Sequence, residues 1–366
     1  VESRLRVLHL ASGDSWGGAE VVIAELLAGS RERLDVEALL LNEGRLAERV
    51  RSMAVPISVL TERELGFFRL LRGVRRKVQR GGYQVIHAHR YKELLLAVFA
   101  NLPRRACVVT TIHGIEPRQQ MGFLRTMQLW GVAYLARALG AMFVDVSPEI
   151  RDRFARRLGR CAVVQIGNPI PERKIGSHPV DLRARCGLDA RCPLVGFVGR
   201  MEAVKGPDLF VELALAHRGD GAFVAIGGGT LEASLKERVL RARASSKVHF
   251  VGEIPDAGWL LPQLDVLAVT SRHEGTPIVV LEAALAATPV VAFRVGGLPD
   301  LVDGGFASRL VPPGDLEAFG RVVTEILAEP VRARKAAATW AHGIRARFDR
   351  SAIVTRYEAL YRQVVG

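Results

Sequence analysis

Short apolar runs rich in Val, Ile and Leu recur along the chain, separated by longer amphipathic stretches, almost from end to end. A short apolar run bounded by turn residues predicts a buried strand, and apolar positions three or four apart predict a helix packed on it. The predicted strands of the first half are 4–11 (RLRVLHLA), 35–41, 56–60, 83–89 (YQVIHAH), 107–112, 142–146 and 162–166. Those of the second half are 194–199 (LVGFVG), 222–227, 247–251, 265–270, 289–293 and 308–311. Strand and helix alternating in this way is the pattern of stacked βαβ units with parallel sheets, so the expected class is α/β.

The two series are separated by a turn-rich stretch, Gly167-Asn168-Pro169-Ile170-Pro171, followed by a polar segment to about 190. At 366 residues the chain exceeds the ~250–300 at which a single core stops growing, which predicts two domains of similar size. Open α/β sheets bind ligands at the carboxyl ends of their strands, so two such domains facing each other would make a cleft. The residues that follow each strand are therefore the candidates for chemistry.

One predicted helix stands out. Over 66–80, Phe67, Leu71, Val74 and Val78 form one stripe at helical spacing and Arg69, Arg72, Arg76 and Arg80 another. A basic amphipathic helix with an aromatic tip suits an anionic membrane surface, although an apolar stripe is also what any α/β helix needs to pack on its sheet.

The formal charge of +13 is uneven: residues 1–170 hold 26 Lys and Arg against 16 Asp and Glu, residues 171–366 hold 25 against 22. If the charge serves an anionic partner, the first half meets it; arginine-rich solvated faces are the plainer reading. The arginines are not interleaved with stacking aromatics, which argues against nucleic acid. Cysteines at 107, 161, 186 and 192 form no CxxC pair, which favours a reducing compartment. No apolar run approaches ~20 residues, and the first residues form a strand pattern, so a cytoplasmic protein or one held at the inner face of the membrane is expected.

The densest constellation is Glu274-Gly-Thr-Pro-Ile-Val-Val-Leu-Glu282, two carboxylates eight positions apart, with Thr276 expected as helix cap, Pro277 as first helical residue and Ile278 next. The free amides and positive end of that helix suit a phosphate or a sugar hydroxyl. A glycosidase pair needs carboxyls ~5–5.5 Å apart. Eight positions on a helical path span roughly 12 Å, which disfavours that chemistry. Arg200 and Lys205, in Gly199-Arg-Met-Glu-Ala-Val-Lys-Gly206, follow the strand LVGFVG and together suit a diphosphate. Trp16-Gly17-Gly18-Ala19-Glu20 opens the first helix where missing side chains allow a ligand close to the backbone. G-x-G-x-x-G and Walker A loops are absent from the sequence. His87 and His89 share one face of a strand, a metal pair by geometry. With no Asp-x-Asp motif to hold a catalytic cation, the expectation is no metal and an acceptor-side place for both histidines.

These residues resemble the retaining glycosyltransferases of family 4, which have the GT-B fold of two Rossmann-like domains. The likeness runs through GGAE, VIHAH at 85–89, THG at 111–114, GNPI at 167–170, GR-x4-KG at 199–206, FVGE at 250–253, E-x7-E at 274–282 and GG-x-P-D at 296–300. The resemblance implies that Arg200 and Lys205 hold the donor diphosphate, that Glu282 binds the ribose, and that Glu274 contacts the transferred sugar or its phosphate. It also implies that His113 lies beside the donor sugar near the reacting centre and that the Gly17-Gly18 loop approaches the diphosphate. The expected division is 1–170 for the acceptor, 171–345 for the nucleotide sugar, and a C-terminal helix in 346–366 packing back toward the first domain.

The resulting expectation is a metal-independent hexosyltransferase with no cofactor. It would use a nucleotide-sugar donor carrying UDP or GDP and a glycan or lipid-linked acceptor, with an anionic membrane surface as a further partner and no nucleic acid. A sugar-nucleotide epimerase or phosphorylase on the same fold is the alternative.

Overall fold

The structure, a computed structural model, describes residues 4–14, 16–103, 105–113, 122–171 and 180–366. Gly114 of the THG motif and residues 172–179 of the expected linker lie outside the described residues. The chain divides into two compact units, Val1–Glu172 with Phe348–Gly366, and Arg173–Arg347.

The first unit is built on β1 (Arg6–Ala11), β2 (Asp35–Leu40), β3 (Ile57–Val59), β4 (Val85–Ala88), β5 (Cys107–Ile112), β6 (Met142–Asp145) and β7 (Val163–Gln165). They form one parallel sheet in the order β3-β2-β1-β4-β5-β6-β7. The second unit carries β8 (Leu194–Val198), β9 (Ala222–Ile226), β10 (Val248–Gly252), β11 (Val266–Val269), β12 (Val290–Phe293) and β13 (Ser308–Val311). Its parallel sheet has the order β10-β9-β8-β11-β12-β13. Helices connect the strands of both sheets, and strand residues such as Val7, Leu8, Val195 and Phe223 are fully buried, as the continuous apolar runs require. The order of growth reverses between β1 and β4 in one sheet and between β8 and β11 in the other, the places where such sheets bind ligands.

The helix Phe67–Gly81 turns a different stripe inward from the one expected. Leu70, Val74 and Val78, each four positions from the next, enter the core of the first unit; Leu71 is half-buried, and Phe67 and Phe68 are 45% and 83% exposed. The reason is positional: Phe67 sits in the first turn, before the helix has reached the sheet. Arg69, Arg72, Arg75, Arg76 and Arg80 are all exposed.

The helix Arg350–Val365 belongs to the first unit. It buries Ile353, Val354, Tyr357, Leu360 and Tyr361. Close approach to the helix Gly18–Ser30 is possible because Gly29 has no side chain; a Cβ there would lie 2.7 Å from Cγ2 of Val354. The two tyrosines reach the polar end of the sheet interior, where Tyr361 Oη meets His87 Nδ1 at 2.7 Å and Tyr357 Oη meets Thr111 Oγ1 at 3.1 Å. No helix among the described residues is long and apolar enough to cross a membrane.

Candidate active site

In the second unit the segments after β8 and β11 are knitted together by contacts that admit no side chain at key glycines. Gly206, at φ +65°, caps the helix Pro207–Ala216, and a Cβ on it would stand 2.0 Å from the carbonyl oxygen of Thr270. Thr270 Oγ1 donates back to the Gly206 carbonyl at 2.8 Å, and the Arg272 amide donates to the Val204 carbonyl at 2.9 Å. Gly296, at φ +55°, comes equally close to Glu274, whose carbonyl oxygen would be 1.8 Å from a Cβ there and accepts from the Gly297 amide at 3.1 Å. GR-x4-KG, E-x7-E and GG-x-P-D, distant in sequence, are thus one packed surface.

Within it Lys205 Nζ donates to both oxygens of Glu274, at 2.8 and 2.7 Å, and Ser271 Oγ donates to Glu274 Oε1 at 2.6 Å. Glu274 is 6% exposed, so removing Lys205 would leave a carboxylate short of solvent and of its counter-ion. Arg200 is exposed and close enough to Glu202 to help hold that carboxyl below its usual range, after the larger effect of hydrogen bonds from the Thr230 side chain and amide. Arg272, bidentate on Asp208, and Glu202, gripping Thr230 at 3.1 and 2.7 Å, fix the neighbouring loops. Ser271, Asp208 and Arg272 are positioning groups that the motifs did not single out.

The helix of the E-x7-E motif runs Ile278–Leu285, one residue later than expected. Pro277 itself occupies the cap position with φ −69° and ψ 119°, and Thr276 lies one residue further out. The proline ring sets φ at a helical value but leaves ψ free, and the same ring pushes the preceding residue toward extended geometry. Glu282 is half-buried, about one turn into the helix.

In the first unit Gly17 caps the helix Gly18–Ser30 with extended backbone. Glu20 of the GGAE motif is buried and paired with Arg90, which also lies 3.7 Å from Asp14. Burial raises the Glu20 carboxyl above its usual value, against the pull of Arg90. The segments after β1 and β4 are tied together by this arginine, which the motif reading missed.

His87 and His89 do not line an open face. They are 0% and 1% exposed: His87 lies in a central parallel strand covered on both faces, and His89 directly after it. The two nitrogens of His87 meet Tyr361 Oη and Thr111 Oγ1, each at 2.7 Å. His89 bridges His9 Nδ1 at 3.0 Å and His113 Nε2 at 3.3 Å. His9, His87 and His89 offer ring nitrogens within 4.8 Å of one another, a spacing compatible with metal, and of those nitrogens only His9 Nε2 lacks a hydrogen-bond partner. His9 was missed because RVLHLA reads as an ordinary strand; its signal was the shared level of His9 and His87 on adjacent strands.

Comparison with known proteins agrees with the geometry. Residues 16–174 match the model described as Glycosyltransferase Family 4, and residues 192–329 the model described as Glycosyl transferases group 1. The chain resembles a 2-deoxystreptamine N-acetyl-D-glucosaminyltransferase of Streptomyces fradiae, with 34% identity over 189 residues, 49% of this chain and 44% of that one. It also resembles a lipopolysaccharide core mannosyltransferase of Rhizobium leguminosarum, with 31% identity over 50% of this chain and 54% of that one. It therefore spans about half the length of these curated relatives. Anabaena HepE in complex with UDP-glucose superposes with a TM-score of 0.85 at 22% identity, covering 98% of this chain and 99% of that one. The fold is GT-B, and each half of the chain matches a glycosyltransferase domain model. The first of those halves matches family 4.

Burial brings the imidazoles of His9 and His113 down to about 3 and holds those of His87 and His89 well below their usual value, so all four are neutral at pH 7 when folded. In the unfolded chain they take up protons below ~6.5, so stability falls as pH drops through that value, by about 1.4 kcal/mol per pH unit for each ring. Asp145, raised to about 8 by burial, opposes this with one proton bound by the folded chain. Urea midpoints between about pH 7.5 and 5 should fall, and His9→Asn should flatten the slope by about one proton. An unchanged slope would mean that His9 is charged in the folded chain.

Proposed function

We propose that the chain transfers a hexose from a nucleoside-diphosphate sugar to an acceptor hydroxyl, with retention of configuration and without a metal ion. The observation that carries this reading is the Lys205–Glu274–Ser271 set at the β8/β11 reversal, beside Arg200 and the start of the helix Ile278–Leu285. The chemical task is to let a diphosphate leave while an oxocarbenium-like sugar meets a hydroxyl, and fixed positive charge at the leaving group is the most effective help. Lys205 and Arg200 supply that charge, with the helix end at Thr276, Pro277 and Ile278. Glu274 aims Lys205 and reaches the sugar, and Glu282 takes the ribose. The Gly17-Gly18 turn and His113 are assigned to the diphosphate and the reacting centre through the family resemblance.

UDP is the favoured nucleotide, supported by the UDP-glucose complex of HepE, with GDP the other choice. No cofactor is needed. The acceptor is a lipid-linked or envelope glycan, a reading supported by the lipopolysaccharide core relative. The exposed Phe67, Phe68 and arginines of the helix Phe67–Gly81 then dock on an anionic leaflet.

Lys205→Ala should lower transfer by ~10²–10³, and Glu282→Ala should weaken donor use, each measured on protein shown to be folded. Near wild-type turnover in folded Lys205→Ala protein excludes the assignment. Transfer should survive EDTA; loss on chelation with recovery on adding Mg²⁺ or Mn²⁺ would show that a metal takes part. Replacing Arg69, Arg72, Arg76 and Arg80 by glutamine should release the protein from phosphatidylserine-containing vesicles at low salt while leaving UDP binding intact. A wild-type protein that does not co-sediment with them points to a soluble acceptor.

A further inference from the structure

Three imidazoles of the first unit form a hydrogen-bonded file. His9 Nδ1 lies 3.0 Å from His89 Nε2, and His89 Nδ1 lies 3.3 Å from His113 Nε2. The rings are nearly parallel, at 17° and 23°. His9 sits within β1, level with His87 on β4; His89 is just past the end of β4 and His113 just past the end of β5. The file therefore runs from the sheet interior to its carboxyl edge. His87 stands outside it, both its nitrogens taken by hydroxyls.

A neutral imidazole has one N–H and one bare nitrogen. To serve both contacts, His89 must donate at one and accept at the other, so the protons of the file all point the same way. If they point outward, His9 Nδ1–H donates to His89, His89 Nδ1–H donates to His113 Nε2, and His113 carries its own proton on Nδ1. If they point inward, His113 donates from Nε2 and the proton of His9 is driven onto Nε2.

The two ends decide between these. His9 Nε2 and His113 Nδ1 are both buried atoms without a hydrogen-bond partner among the described residues. His9 is 1% exposed, enclosed by the sheet, and an orphaned N–H is rarer in protein interiors than an under-used acceptor. The Nδ1 atom of His113 is buried too, but the residue is part-exposed at a strand end, so a small turn of its ring brings Nδ1 to a ligand or water, which no such turn does for His9 Nε2. Outward-pointing protons place the bare nitrogen inside and the N–H at the edge.

We propose that His9 and His89 are positioning residues that hold the proton of His113 on Nδ1, so that His113 meets an oxygen of the sugar nucleotide as a hydrogen-bond donor and not as a base. This rests on the assignment of His113 to the reacting centre. The partner atom of a histidine ring sets which of its nitrogens is protonated, and here that control is relayed through two rings.

The test begins with the wild-type protein labelled with ¹⁵N in histidine. Two-bond ¹H–¹⁵N correlations separate protonated from bare ring nitrogens, and the His113 signals are those lost in His113→Gln. A protonated Nδ1 and bare Nε2 on both His113 and His9 are expected; a protonated Nε2 on His113 overturns the proposal without involving catalysis. Second, His9→Phe should lower kcat by about 10- to 100-fold, less than the ~10⁴ seen when a charged tautomer-fixing partner is lost, with the donor KM nearly unchanged. His9→Asn, whose amide can donate near the position of Nδ1, should recover most of that loss. Equal loss in both variants means that His9 only packs, which overturns the positioning role. If the proton pattern holds but His113→Gln transfers sugar at the wild-type rate, it is the reacting-centre assignment that fails, and the catalytic role of the file with it.

Discussion

Where a parallel sheet reverses its order of growth, the connections on either side run to opposite faces and the strand ends between them are left uncovered. Both units obey this constraint, at β1/β4 and at β8/β11, and in each a buried set of polar side chains stands there. In the second unit the reversal brings Lys205, which follows β8, against Glu274, which follows β11. In the first it brings the Glu20 end of one segment to the Arg90 end of another and sets His9 beside His89. In the second unit the side chains come from the segments after the strands, whereas in the first His9 comes from a strand itself.

The two reversals handle polarity differently. In the second unit charge meets charge: Lys205 is neutralised by Glu274, and Arg272 by Asp208. In the first unit the Glu20–Arg90 pair lies at the reversal, but the interior around His87 is neutral. There four imidazoles, two tyrosine hydroxyls and the Thr111 hydroxyl bond to one another without a formal charge, while the arginines of the helix Phe67–Gly81 remain on the surface. A charge in that interior would have to be desolvated with no counter-ion beside it, and burial has removed it by lowering the histidine pKa values.

The strands were legible because buried parallel strands are written as short runs without polar residues, as in LVGFVG and the Val-rich 290–293. The motif residues of the second unit were legible as neighbours because each follows a strand. What stayed hidden depended on distance in sequence. Nothing in the spacing of Lys205 and Glu274 says that they bind each other, and nothing in YQVIHAH separates a histidine that faces ligand from one enclosed by Tyr361. A two-residue repeat names a face of a strand but not what covers it. The cap of the helix Ile278–Leu285 shifted by one residue because a proline fixes only one of its two backbone angles. The inward stripe of the helix Phe67–Gly81 depended on where the helix first touches the sheet, which periodicity does not contain.

The return of Phe348–Gly366 to the first unit has a consequence for how the chain is made. Tyr357 and Tyr361, which close over His87 and Thr111, are synthesised only after the whole of the second unit. During translation the first sheet therefore waits with its histidines uncovered while 173–347 emerges and folds. The nascent first half is a partly open molecule with an unsealed polar core, and its completion is a late, long-range event that links the maturation of one unit to the synthesis of the other.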